Sequence, residues 1–233
     1  MDLYGTLVSG FSSQKPFVSI TGGGGKTTLM IGLASYLRKL GKRVLMTTTT
    51  KIMSPHLLDY GADRIFADDG VLSFFPDEPI CVLYALSDGV TSRWISPPVE
   101  HLDVLRGRYD AIICEADGSR RLPLKVHTNR DPVVPGFTTD TVSITGLWGI
   151  GVKASEVSFG DNRDMVIDGD YLQWYIDNPQ GLLKGTVLGR RTVLFNGADD
   201  CENLTVLEKL RFPTDARVYA CSEKEGKIYE RIR

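Results

Sequence analysis

A short apolar run from Pro16 to Thr21 is cut by four consecutive glycines, and the residues that follow change period. From Thr27 to Leu40 the positions Leu29, Leu33, Leu37 and Leu40 fall every three or four residues, which predicts a helix with one apolar stripe, ended at Gly41. Arg43 to Thr47 then supplies a second β-leaning run. Strand, glycine turn, helix and strand make a βαβ unit. Further short apolar runs at Ile80–Leu86, Ala111–Cys114, Val142–Leu147, Thr192–Phe195 and Val218–Cys221 predict more strands. Helices are expected from Pro98 as the first helical residue, with Leu102 and Leu105 apolar and Gly107 as the stop, and around Asp200–Leu210. Short buried strands alternating with helices favour a mostly parallel sheet covered on both faces.

With 233 residues, 42% of them hydrophobic, the chain can bury one large core, and a single α/β domain over residues 1–233 is expected. A net charge of -2 carries no basic footprint for nucleic acid or an anionic membrane surface. No apolar run approaches the roughly 18 residues of a membrane span, and no basic segment with an apolar h-region opens the chain. Cys81, Cys114, Cys201 and Cys221 are widely separated, with no C-x-x-C pair, which suits a reducing compartment. A cytoplasmic protein with small-molecule partners, and neither nucleic acid nor membrane, is the expectation.

The glycine break reads Thr21-Gly22-Gly23-Gly24-Gly25-Lys26-Thr27-Thr28. Backbone N–H groups can converge on a phosphate only where no side chain obstructs them, so Gly22, Gly23, Gly24 and Gly25 are candidate phosphate ligands. The helix start adds unpaired amides and a positive dipole end at Thr27 and Thr28. Lys26 can neutralise the outer phosphates as a catalytic and binding group, and Thr27 can reach Mg²⁺. Ile20 stands where the full pattern G-x-x-x-x-G-K-S/T has its first glycine. The shortened form resembles the ATP loop of the Mur and folylpolyglutamate ligase group. The expected fold is therefore a P-loop NTPase-like, doubly wound α/β sheet with helices on both faces, binding ATP or GTP with Mg²⁺.

After the run Ala111-Ile112-Ile113-Cys114 come Glu115 and Asp117. A carboxylate at the end of a buried strand is where phosphate-loop enzymes hold Mg²⁺ or its water shell, which makes Glu115 a metal candidate. Two positions on, a continuing strand would turn Asp117 to the same side, as a general base or water-positioning group. Cys114 reads as a core residue. Arg120 and Arg121 could meet an anionic second substrate or the charge of a transferred phosphoryl group, or form a solvated face with Lys125 and Arg130. His127 has no metal partner at a recognisable spacing. Thr47 to Thr50 and Lys51 follow the second strand, as ligand hydroxyls or as an ordinary β-branched strand end. Asn196 and Asp199 fall in N-G-A-D, which resembles the base-reading N-K-x-D loop of GTPases with its lysine replaced, or makes an Asn-Gly turn.

The loop T-G-G-G-G-K-T-T, the run T-T-T-T-K-I-M, the block E-A-D-G-S-R-R-L-P-L-K and D-P-V-V-P occur in this order over residues 17–136. Their combination resembles the YqeC-type accessory proteins of selenium-dependent molybdenum hydroxylases. The resemblance implies a role in making or inserting a labile selenium cofactor, with Gly22, Gly25, Lys26 and Thr27 on phosphate and Mg²⁺ and with Glu115 and Asp117 opposite. Residues Ser155 to Lys184 show no match to that pattern. Two functions follow as expectations. One is an NTP-dependent phosphotransferase or NTPase acting on an anionic cofactor precursor. The other is a non-catalytic, nucleotide-dependent switch or chaperone that delivers a cofactor to a partner such as a molybdenum hydroxylase.

Overall fold

The computed structural model describes residues 1–233 apart from 88, 90, 91, 187, 202 and 203. Helix α1 (Leu3–Ser9) precedes β1 (Phe17–Gly22), α2 (Lys26–Lys39) and β2 (Val44–Thr48), the expected βαβ unit. Next come β3 (Lys51–Met53), β4 (Arg64–Phe66), β5 (Cys81–Tyr84), β6 (Arg93–Ile95), α3 (Val99–Leu105) and β7 (Ala111–Glu115). They are followed by β8 (Leu124–Lys125), β9 (Asp140–Gly146), α4 (Ala154–Val157), β10 (Ser158–Phe159) and α5 (Gly169–Asp177). The last elements are β11 (Arg190–Asn196), α6 (Thr205–Glu208), β12 (Arg217–Ser222) and β13 (Lys227–Arg231).

Among the described residues, nine strands form one sheet in the order β13-β12-β11-β9-β1-β7-β2-β5-β4. Every neighbouring pair in it is parallel except β12 with β13. This is a doubly wound α/β fold of the P-loop NTPase type. The chain leaves β1 for β2 on one side and later adds β9, β11 and β12 on the other, so the winding reverses at β1. Outside the carboxyl end of such a strand is the crevice where open α/β sheets bind ligands.

Alternation along each strand assigns the two faces. Val18 and Ile20 of β1, Val44 and Met46 of β2, Ile113 of β7, Ile144 of β9 and Leu194 of β11 pack with α1 and α2 on one face. Phe17, Leu45, Ile112 and Cys114 face the other way, under α3. Val193, Phe195, Val218 and Ala220 share that second face with α5 and α6. Between these two clusters the second face is polar: Ser19, Thr21, Thr141, Ser143 and Thr145 are all buried there. Ser19 pairs with Thr138 at 3.0 Å, Ser143 donates to the Leu182 carbonyl and Thr145 to that of Pro123. Hydroxyls in this seam satisfy the irregular chain of residues 116–138 and 182, which could not be buried against an apolar surface.

Several expectations shift. Helix α2 starts at Lys26 and ends before Leu40, which is exposed and caps the helix instead of extending the stripe. Pro98 sits just outside α3. Of the helix expected over Asp200–Leu210 the structure forms a single turn, Thr205–Glu208, and Glu202 and Asn203 lie outside the described residues. Helices α1 and α5 and strand β13 were not expected.

Strand β1 ends in Gly22 at φ 99°, where a Cβ would lie 2.2 Å from the carbonyl oxygen of Ile144 on β9. Both the left-handed backbone and the contact demand glycine. Gly22→Ala should destabilise the fold by at least about 1–3 kcal/mol, read as a lower midpoint in urea unfolding.

Candidate functional site

The four glycines leave β1 and turn beneath the start of α2, with φ of 99°, 74° and 131° at Gly22, Gly24 and Gly25. Their amides do not all face outward. Gly22 N–H donates to Asp117 Oδ2 at 2.8 Å, Gly23 to the Ile144 carbonyl at 2.9 Å and Gly24 to the Leu122 carbonyl at 3.0 Å. A Cβ at Gly23 would lie 2.7 Å from the Leu122 oxygen, and one at Gly24 2.6 Å from the Gly146 nitrogen. These glycines therefore seat the loop against the protein, and the expectation that their amides meet phosphate is not how the loop is arranged here. The amides of Lys26, Thr27 and Thr28 belong to the first turn of α2 and have no intrahelical carbonyl to bond. Gly25, the N-cap, supplies no side chain to them.

Beneath this turn lies a buried charge cluster. The Lys26 ammonium donates to the Gly22 carbonyl at 2.6 Å and to Ser119 Oγ at 3.0 Å, and stands 3.1 Å from Asp117 Oδ1 and 4.0 Å from Glu115 Oε1. Asp117 Oδ1 makes no aligned hydrogen bond, so charge attraction alone links it to Lys26. His127, which offered no chemistry in the sequence, is buried with Nε2 2.6 Å from Asp117 Oδ2 and Nδ1 3.1 Å from the Gly181 carbonyl. Both ring nitrogens face oxygen acceptors, a pattern that the doubly protonated ring satisfies. Burial works against an ionised Asp117, yet Lys26, His127 and Lys125 hold its carboxyl at about 2. Fully buried behind the loop, Asp117 does not line the cleft, contrary to the position expected for a base.

Glu115 does line it. Its Oε2 accepts from Thr27 Oγ1 at 2.7 Å, and burial raises its pKa against the pull of Lys26 and Thr27. The hydroxyl and carboxylate sit on the floor of a cleft of about 410 Å³, which the glycine loop, Lys51, Arg93, Arg120, Arg121, Trp148 and Glu223 complete. Among the described residues no group of three or more His, Cys, Asp or Glu could hold a metal. One carboxylate and one hydroxyl suit Mg²⁺ that keeps its remaining sites for water and phosphate oxygens.

The other candidates divide. Arg120 and Arg121 are exposed at the cleft, with φ of 51° and 66°, a left-handed conformation that costs roughly 1–2 kcal/mol for each residue with a Cβ. Lys125 is buried and paired with Asp131, and Arg130 is exposed away from the cleft lining. The hydroxyls of Thr47, Thr48 and Thr49 donate to the carbonyls of Tyr84, Glu115 and Val133, so they serve the sheet and its loops. Cys114 is buried in β7, its thiol pushed up to about 12 by burial. Asn196 is buried too: its amide donates to the Gly24 carbonyl at 3.0 Å, and its oxygen accepts from the Glu223 amide at 3.0 Å. It ties the ends of β11 and β12 to the loop. Asp199 is half-buried in the turn after β11, outside the cleft lining.

The family profile described as YqeC protein matches residues 18–159. The chain belongs to the YqeC family. It is 30% identical to the YqeC protein of Escherichia coli (strain K12) over 224 residues, 89% of this chain and 86% of that one. No solved structure matches the chain at a significant level. The matched segment holds the glycine loop, Glu115, Asp117 and His127, while Asn196 and Glu223 lie beyond it in the half of the sheet that completes the cleft. No helix among the described residues is long and apolar enough to cross a membrane.

Glu223 was not singled out in the sequence, because a lone acid after a strand carries no motif. In the fold its Oε1 lies 2.2 Å from where a Cβ on Gly25 would be, and its Oε2 is buried without a hydrogen bond. Burial lifts its carboxyl to about 8 against the hydrogen bonds of Asn196 and Thr28. The folded state thus holds this proton where the unfolded chain, near 4.5, has lost it. The resulting stabilisation is complete below the unfolded value and lost as pH rises through about 8. Thermal melts of the wild type should fall across this window, and Glu223→Gln should flatten that fall; a parallel decline in both proteins would remove Glu223 as its source.

Proposed function

We propose that this YqeC-family chain is a Mg²⁺-dependent nucleoside-triphosphate-binding protein, using ATP or GTP for phosphoryl transfer or hydrolysis on an anionic small molecule. The carrying observation is the conjunction at the cleft floor: the uncapped first-turn amides of Lys26, Thr27 and Thr28 beside the Thr27–Glu115 pair. Amides and helix dipole favour phosphate oxygens, and Lys26 supplies the positive charge next to them. When bound, Mg²⁺ would offset the charge of the outer phosphates, with Thr27 and Glu115 as its protein-side contacts.

Arg120 and Arg121, with Lys51 and Arg93, line the same cleft and give it the character of a second anion site. Two consecutive arginines held in a costly backbone conformation at that edge support a role for them in binding the acceptor or stabilising a transferring phosphoryl group. The resemblance to accessory proteins of selenium-dependent molybdenum hydroxylases supports synthesis or insertion of a labile selenium cofactor as the context of this activity.

One observation favours a second reading. Asp117 is withdrawn from the cleft and engaged on both oxygens, so it is not free to activate a nucleophile. A slowly hydrolysing switch that delivers cofactor to a partner hydroxylase fits that arrangement. Multiple-turnover NTP consumption with small molecules alone marks the enzyme, and turnover only with the partner marks the switch.

Lys26→Ala should abolish nucleotide binding measured by calorimetry, while Thr27→Ala should keep metal-free binding and lose most of the gain on adding Mg²⁺. Unchanged affinity in Lys26→Ala, with the fold intact by circular dichroism, would sink the proposal.

A further inference from the structure

Beside the phosphate cleft lies a second, smaller pocket of about 150 Å³, walled by Leu147, Trp148, Gly197, Asp200 and Cys201. Trp148 belongs to both cavities. We propose that a nucleobase docks against the Trp148 indole in this pocket, with its sugar and phosphates running back along the shared wall to the first turn of α2. The proposal rests on the nucleotide reading above and adds what that reading lacks, a place for the base.

Trp148 sits on the one-turn helix Leu147–Gly149 that follows β9 and keeps 51% of its surface exposed, unusual for the largest apolar side chain in a chain whose other tryptophans are more covered. Its position is built. A Cβ on Gly146 would lie 2.7 Å from the ring and one on Gly197 2.9 Å, so glycine at both positions makes room for the indole. Asn196, just before Gly197, holds the Gly24 carbonyl and the Glu223 amide, which fixes this pocket relative to the glycine loop.

The chemistry of the walls suits a base. An indole face stacks on any heteroaromatic ring, and Leu147 and Cys201 add apolar surface. The Asp200 carboxylate can accept from an exocyclic amino group or a ring N–H on the base edge. Asn196, by contrast, has its amide committed to the loop, so Trp148 takes over the base contact that the N-G-A-D sequence suggested for Asn196.

Titration calorimetry of wild type, Trp148→Ala and Trp148→Phe with ATP, GTP and inorganic triphosphate, all with Mg²⁺, separates the base from the phosphates. The wild type should bind at least one nucleotide more tightly than inorganic triphosphate. Trp148→Ala should weaken that nucleotide roughly 5- to 150-fold and weaken inorganic triphosphate far less, with Trp148→Phe recovering most of the loss. Equal weakening of both ligands, or no change in nucleotide affinity, overturns the base site. Wild-type binding of inorganic triphosphate as tight as that of both nucleotides overturns the base site while sparing the phosphate reading. No binding of any of the three overturns both.

Discussion

A carboxylate shut away from water stays ionised only if the protein surrounds it with donors and positive charge. Asp117 is held in this way from three directions: the Gly22 amide, the His127 ring and the Lys26 ammonium. Each comes from a different part of the chain, so one side chain joins the end of β1, the start of α2 and the irregular segment after β8. His127 in turn is bonded to the carbonyls around residue 181, which carries the connection to the chain that follows α5. Breaking a buried pair of this kind by removing one partner typically costs about 3–5 kcal/mol, because the other charge is stranded. The shape of the glycine loop is thus set from behind.

The cleft is consequently asymmetric. The glycine loop at its floor is backed by β9 and by residues 122–123, with the amides of Gly22, Gly23 and Gly24 already bonded and no room for side chains at those positions. A ligand meeting such a surface loses little free energy to ordering it, which is the general benefit of preorganisation. The opposite wall carries Lys51, Arg120 and Arg121 on exposed chain, and its two arginines are held only by weak contacts, Arg120 over the Phe159 ring and Arg121 against Met53 Sδ. Binding at the floor and adaptation at the wall are thereby assigned to different elements.

The βαβ unit, the parallel sheet and the arrival of Thr27 and Glu115 at one end of it were legible because they depend on local period and on short motifs. The place of Asp117 was not. Two residues beyond Glu115 it would share a face only if β7 continued, and β7 ends at Glu115, so the next residues turn behind the loop. The donor role of the glycines was misread for a related reason: absence of a side chain permits close approach by a ligand or by the protein itself, and sequence does not distinguish them. The threonine run also served carbonyls of neighbouring strands and loops. Helix α5 carried a readable signal in Asp168 as N-cap followed by buried Tyr171, Leu172, Tyr175 and Ile176. Strand β13 is a short antiparallel edge with one buried residue, too little pattern to mark it.

The backbone at Arg120 and Arg121 bears on how this protein could be engineered. Glycine at either position would relax the left-handed backbone at no steric cost, and asparagine would at little. A library sorted on melting temperature alone would be drawn to those replacements. The selected variants would be sturdier and would have lost two of the guanidinium groups that line the cleft, so thermal selection of this fold has to be coupled to a ligand-binding readout from the first round.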